Sequence, residues 1–230
     1  MKYETVIGLE VHVELATKSK IFCSCSAHSY GSQPNEHVCP ACCGMPGMLP
    51  VVNKRVVDYG MKAGMMLNCH INRTTTFDKK SYYYPDLPGS YQTTQWFAPV
   101  AVNGTVRIKT SKGEKDIRIK QIHMEEDAGK LVHDDWTDTT LVDFNRTSVP
   151  LIEIVSQPDL SSAEERSGWL TISISGTLVR LKSTRVVSVQ SSCTSLPASS
   201  SIWICLMRIA FLPFEVSIST VPFTATGANH

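Results

Sequence analysis

Near the start of the sequence, Glu10, His12 and Glu14 alternate with Leu9, Val11, Val13 and Leu15. Successive side chains of a strand leave on opposite faces, so the first three form a polar row and the other four an apolar one. A carboxylate, an imidazole and a carboxylate in one row can hold a divalent cation or move protons. The same pattern also describes a half-buried strand with a solvated polar face. Residues 121–130 supply a second chemical stretch, with Glu125, Glu126 and Asp127 adjacent and His123 and Lys130 flanking them. Three neighbouring carboxylates repel one another unless cations or donors compensate, although a solvated loop would tolerate them. A third carboxylate, Glu153, stands inside the apolar run 150–155. Glu is rarely placed there unless it is paired or metal-bound. Glu10/His12, Glu125/Glu126 and Glu153 are therefore expected to converge.

The cysteines carry a separate signal. Of eight, five crowd together as Cys23, Cys25, Cys39, Cys42 and Cys43. Two close thiolate pairs can close a tetrahedral zinc site, each pair acting as a knuckle. The second pair has the usual two-residue gap and the first only one. Cys43 could compete for the fourth position, and His28 or His37 could substitute. Clustering in a chain that opens without a secretion signal favours metal over disulfides.

Elements must position these groups. The alternation from Leu9 predicts a first strand. The spacing of Val56, Val57, Met61, Ala63, Met65 and Met66 predicts a helix over residues 53–67, with Asn53 as N-cap and the methionines as core filling. Residues 77–88 are dense in Lys and Tyr; they fit either phosphate and base contacts or an edge strand ending at proline. Residues 100–119 read as hairpin strands, with turn chemistry at 102–105 and again at 111–114.

The 230 residues allow one large domain or two small ones. Net charge is +1, so no bulk basic field points to nucleic acid, and any such contact needs a local patch or a partner. No apolar run approaches the roughly 20 residues that span a bilayer. Neither a signal segment nor a transit peptide opens the chain. A soluble, cytoplasmic protein without membrane contact is expected.

Five runs then stand in order over residues 3–165: E-T-V-I-G-L-E-V-H-V-E-L, C-P-A-C-C-G-M-P-G-M-L-P-V-V-N, F-D-K-K-S-Y-Y-Y-P-D-L-P, H-M-E-E-D-A-G-K and D-F-N-R-T-S-V-P-L-I-E-I-V-S-Q-P-D. Together they resemble the N-terminal part of the GatB family, the B subunits of the tRNA-dependent Asp/Glu amidotransferases. The resemblance implies an α+β fold, a largely antiparallel sheet cradle similar to the glutamine synthetase catalytic fold, with an inserted zinc knuckle. It implies an enzyme subunit that uses ATP to phosphorylate the side-chain carboxylate of Asp or Glu misattached to tRNA(Asn) or tRNA(Gln). Ammonia released from glutamine by the amidase subunit then displaces the phosphate, and a third, small subunit holds the other two together. By the same resemblance Glu10, His12, Glu125 and Glu153 are Mg(II) ligands. Glu125, Glu126 and Lys80 are catalytic, Lys80 gating the ammonia path or contacting phosphate and Glu126 facing the tunnel exit. Cys23, Cys25, Cys39 and Cys42 hold structural Zn(II).

The resemblance stops after Glu165, so residues 1–165 read as an incomplete catalytic cradle and 166–230 as a tail outside the family. Beyond Glu165 the only acidic residue is Glu215, and serine is abundant. The tail reads as out-of-frame translation, poorly ordered, with a genuine alternative domain as the other reading. Two further readings of function follow. One is a non-catalytic, zinc-stabilised fragment that docks on the amidase partner. The other, an unrelated zinc-ribbon RNA-binding module, lacks the basic patch it would need.

Overall fold

The protein is described by a computed structural model over residues 5–134, 136, 138–175 and 184–191. Strand β1 (Ile7–Glu14) buries its odd-numbered side chains and leaves the even ones half-buried, as the alternation predicts. The central pairing partners lie far away in sequence. β9 (Pro150–Ser156) runs antiparallel to β1, and β6 (Gly113–Glu126) runs antiparallel to β9. β5 (Ala101–Thr110) forms a hairpin with β6, closed where Thr110 meets Gly113. Beyond β6 come β4 (Tyr91–Thr94) and, at the sheet edge, β3 (Asp78–Ser81). The short β2 (His70–Ile71) pairs with β5. A separate hairpin joins β7 (Lys130–Asp134) to β8 (Thr139–Asp143), and β10 (Thr184–Ser191) pairs with the free side of β1. All of these pairings are antiparallel, and with two α-helices among the described residues the fold is α+β.

One sheet face is apolar. Leu9, Val11, Val13, Ile122, Met124, Ile152 and Ile154 are all buried in one core cluster. Helix α1 (Lys54–Met66) contributes Val56 and Ala63 to that cluster. Asn53 caps it through a 2.9 Å bond from the Arg55 N–H, as expected from the sequence. Met65 and Met66 are exposed rather than core, because they lie on the side of the helix away from the sheet. Gly64 explains how closely α1 packs. A Cβ there would meet Ile71 Cδ1 at 2.5 Å and Ala101 Cβ at 2.8 Å. Gly64→Ala is therefore expected to destabilise the protein by about 1–3 kcal/mol, despite alanine's better helix propensity. Urea unfolding tests this, and a gain in stability would contradict the packing.

One expectation changes. The turn foreseen at 102–105 is absent: β5 continues through it in constant register with β6, while Asn103 takes φ 56 without ending the strand. Asn tolerates that left-handed conformation, so the Asn-Gly pair marks a local irregularity instead of a hairpin. The foreseen boundary at 165 falls inside helix α2 (Ala163–Ser175), whose Gly168 packs beside Lys109 and Ile108 and whose Trp169 is buried. Most of the 166–230 segment, including the serine run and the apolar stretch 202–214, lies outside the described residues. No helix among the described residues is long and apolar enough to cross a membrane.

Candidate metal centres

The polar sheet face is built by register. His12 on β1 sits opposite Glu153 on β9, and Glu153 sits opposite His123 on β6. Glu125, two residues on from His123, shares that face by alternation. His12 Nε2 lies 2.8 Å from Glu125 Oε1 and 3.7 Å from Glu153 Oε1, while His123 Nε2 is 2.7 Å from Glu153 Oε2 and 3.5 Å from Glu125 Oε2. Ligand atoms of His12, Glu125 and Glu153 all fall within 4.8 Å of one another. An octahedral Mg(II) with bonds of about 2.1 Å places neighbouring ligands roughly 3 Å apart. The cluster can close around such an ion with small side-chain shifts.

In the cation-free protein the two imidazoles supply the positive charge that the carboxylates face. Burial alone would neutralise these groups. It is outweighed at Glu125, where contacts with His12 and His123 hold the carboxyl down to about 2. Burial is outweighed at His123 too, where Glu125 and Glu153 lift the imidazole to about 9, and His12 is raised by Glu125 and then Glu153. Positive charge is thus strongly stabilised between the carboxylates. Glu125 Oε1 is buried against His12 Nε2 at 2.8 Å, while His12 Nδ1 is buried without a partner. A metal ion that displaced the imidazole proton would answer the same carboxylates.

Glu10 lies on the same face of β1 but outside the three-residue group. Glu126, one residue beyond Glu125, leaves the opposite face. Its Oε1 accepts from the Thr93 N–H at 2.7 Å and its Oε2 from Ser148 Oγ at 2.5 Å. Burial raises its pKa against those two donors. Lys80 is exposed on edge strand β3, opposite Gln92. Beside it, Tyr82 and Tyr84 stack at 4.7 Å and remain partly exposed, so the Lys/Tyr-dense run is an edge strand whose aromatic rings do not fill the core. An open cleft of about 1100 Å³ lies between the 27–35 segment and the β7–β8 hairpin, lined by Glu14, Lys130, Asp143 and Arg146 among others. Arg146 is clamped by Asp127 through two 2.6 Å bonds.

The second centre is the cysteine group. Cys23, Cys25, Cys39 and Cys42 bring their sulfurs within 4.8 Å of one another, while Cys43, His28 and His37 stay outside. Zinc–sulfur bonds of about 2.3 Å set a tetrahedral edge of roughly 3.8 Å, which this arrangement can accept. The Cys39 N–H donates to Cys42 Sγ at 3.1 Å, and the Cys43 N–H returns to the Cys39 carbonyl at 3.0 Å. The Cys42 thiol is pulled down to about 4, chiefly by the Cys23 thiol against it, while Cys23 is pushed well up. Burial lifts Cys25 to about 11. Four thiols this close cannot all ionise without a cation between them.

Two participants stand outside the expected ligand set. Sequence places His123 only as a flank of the acidic run, although it stands two residues before Glu125 on one strand face. Lys20 carries no sequence signal. It is fully buried, with Nζ 3.6 Å from Cys42 Sγ, 2.7 Å from the His37 carbonyl and 3.4 Å from that of Phe144.

Comparison with known proteins agrees with this architecture. Residues 5–185 match the family described as the GatB/GatE catalytic domain. A protein of Agathobacter rectalis is 59% identical over 168 residues, which cover 73% of this chain and 35% of the relative. One of Lachnoclostridium phytofermentans gives the same identity and coverage. One of Thermoanaerobacter pseudethanolicus is 57% identical over 171 residues, 74% of this chain and 36% of its own. Each is named as the B subunit of an aspartyl/glutamyl-tRNA(Asn/Gln) amidotransferase. The chain spans about a third of the length of these relatives.

Proposed function

Because the chain belongs to the GatB/GatE catalytic-domain family, we propose that it forms the cation-binding part of an amidotransferase that works on aminoacyl-tRNA. The observation that carries this reading is the cluster of His12, Glu125 and Glu153, whose ligand atoms all lie within 4.8 Å of one another. In the proposed reaction a side-chain carboxylate of Asp or Glu on tRNA(Asn) or tRNA(Gln) attacks the γ-phosphorus of ATP, and ADP departs. Ammonia from a partner amidase then displaces phosphate to leave the amide. The amidase and the small third subunit of the complex are the proposed partners, and the sheet is proposed to serve as a cradle like that of glutamine synthetase.

Bound Mg(II) would neutralise charge between two anionic reactants. His12, Glu125 and Glu153 are the residues that would hold it, with Glu10 next along the same strand. The chain's own groups prepare that site. His123 orients Glu153 at 2.7 Å and Ser148 with Thr93 fixes Glu126. The cleft between the 27–35 segment and the β7–β8 hairpin is proposed as room for substrate, with Arg146 and Lys130 as its cations. Lys80 is proposed to act at the edge of the sheet on the ammonia path or on phosphate, and Glu126 at the tunnel exit. Cys23, Cys25, Cys39 and Cys42 are proposed to hold structural Zn(II), whose positive charge would join four thiolates beside Lys20.

Reconstitution with the amidase and small partners tests the reading. Glutamine-dependent, ATP-dependent formation of Asn-tRNA or Gln-tRNA is the expected result. Complex formation without turnover would replace it by the docking role alone.

A further inference from the structure

The two candidate centres are joined by one continuous set of contacts. From the cysteine side, Lys20 Nζ reaches Cys42 Sγ and the Phe144 carbonyl. Its neighbour Ile21 donates its N–H to the Ser148 carbonyl at 2.9 Å. In parallel, the His37 N–H donates to Asn145 Oδ1 at 2.7 Å, and Asn145 Nδ2 donates to the Gln33 carbonyl at 2.7 Å. From the other side, the Ser148 N–H donates to the Asp127 carbonyl at 2.9 Å, and Ser148 Oγ donates to Glu126. Glu126 is bonded covalently to Glu125 at the end of β6, where the ladder stops.

Ser148 has the properties of a switchable element. It is buried and sits at φ 63, a left-handed conformation that a serine holds only when its surroundings impose it. Here its N–H, its carbonyl and its hydroxyl are all committed, two of them to residues 126–127 and one to Ile21 beside the cysteine centre. If the Ile21 contact loosens, backbone relaxation of Ser148 rotates its hydroxyl away from Glu126. The end of β6 that carries Glu125 then loses a support.

We propose that Ser148 and Glu126 are positioning residues that couple the two centres, so that zinc held by the four cysteines tightens divalent-cation binding by His12, Glu125 and Glu153. This rests on reading both groups as cation sites. Coupling of this kind is reciprocal: the cation must tighten zinc retention by the same factor.

The test uses the full chain, with Mn(II) as a spectroscopic probe read by electron paramagnetic resonance. Zinc-loaded protein is expected to bind Mn(II) roughly five- to tenfold more tightly than zinc-stripped protein. Saturating Mn(II) is expected to strengthen zinc retention against a competing chelator by an equal factor. That second measurement starts from the loaded, folded chain and decides the matter even if stripping unfolds it. Ser148→Ala is expected to bind both metals with the factor reduced to about one, while Glu126→Gln, whose amide oxygen can accept from the Thr93 N–H and whose NH2 can donate to the Ser148 hydroxyl, retains it. Equal Mn(II) affinity with and without zinc, combined with unchanged zinc retention, overturns the coupling while leaving both sites standing. A full factor in Ser148→Ala overturns the assigned path. Failure of either metal to bind overturns the coupling together with the functional reading beneath it.

Discussion

Glu125→Ala and His12→Ala are each expected to abolish ATP-dependent activation in a reconstituted complex, by about a hundredfold or more, while glutamine hydrolysis by the amidase partner persists. Glu125 is the pivot because it faces both imidazoles, 2.8 Å from His12 and 3.5 Å from His123. Its removal takes away one ligand and also unbalances the charge that Glu153 must then answer alone. Mn(II) affinity should fall in parallel, which separates loss of the site from loss of assembly. Unchanged transamidation in either variant would remove these residues from the proposed cation site.

The same residues set a pH signature in cation-free protein. Glu125 is depressed from an ordinary 4.5 to about 2, so its stabilisation is complete above the ordinary value and lost as pH falls toward 2. His123 is raised from 6.5 to about 9, so its stabilisation is complete below 6.5 and lost as pH rises through 9. Both describe one ion-pair network, worth on the order of 3 kcal/mol in total, not twice that. Between those limits the cluster supports the fold most. Glu125→Ala should flatten the profile, as read by urea unfolding across this range.

Cys42→Ser is expected to be the most destabilising substitution outside the apolar core. Lys20 is fully buried, and two of its three acceptors are neutral carbonyls. The charge that answers its ammonium is the sulfur cluster, through Cys42 at 3.6 Å. A serine hydroxyl does not ionise, so the variant leaves a buried cation without its counter-charge. Breaking one partner of a buried pair costs about 3–5 kcal/mol, which for a chain of this size lowers the melting temperature by roughly 10 °C. Zinc content by metal analysis should fall with it. A variant that melts with the parent would show that Lys20 is neutralised in another way.

Much of this was legible in the chain before folding. Alternation from Leu9 determined strand β1 and which side chains it buries, because the period of a strand is a local property. Asn53 and the spacing after it determined α1 for the same reason. The Cys23/Cys25 and Cys39/Cys42 pairs announced a shared site by spacing alone. Sequence could also name three acidic elements that belong together, since a lone Glu153 in an apolar run demands a partner.

Which partner it finds was a tertiary decision. Register between β1, β9 and β6 placed His12, Glu153 and His123 in one row, and a one-residue slip would have sent Glu153 into the core. Alternation along β6 already puts Glu125 and Glu126 on opposite faces; that register then placed the first in the candidate cation cluster and left the second braced by Thr93 and Ser148. It left Glu10 outside the group that its spacing from His12 suggested. Lys20 and Ser148 gave no signal in sequence at all. Their roles depend on charges and hydrogen bonds delivered by other segments, 17 to 124 residues away for Lys20 and 22 residues away for the Ser148–Glu126 bond, and only the folded chain brings those within reach.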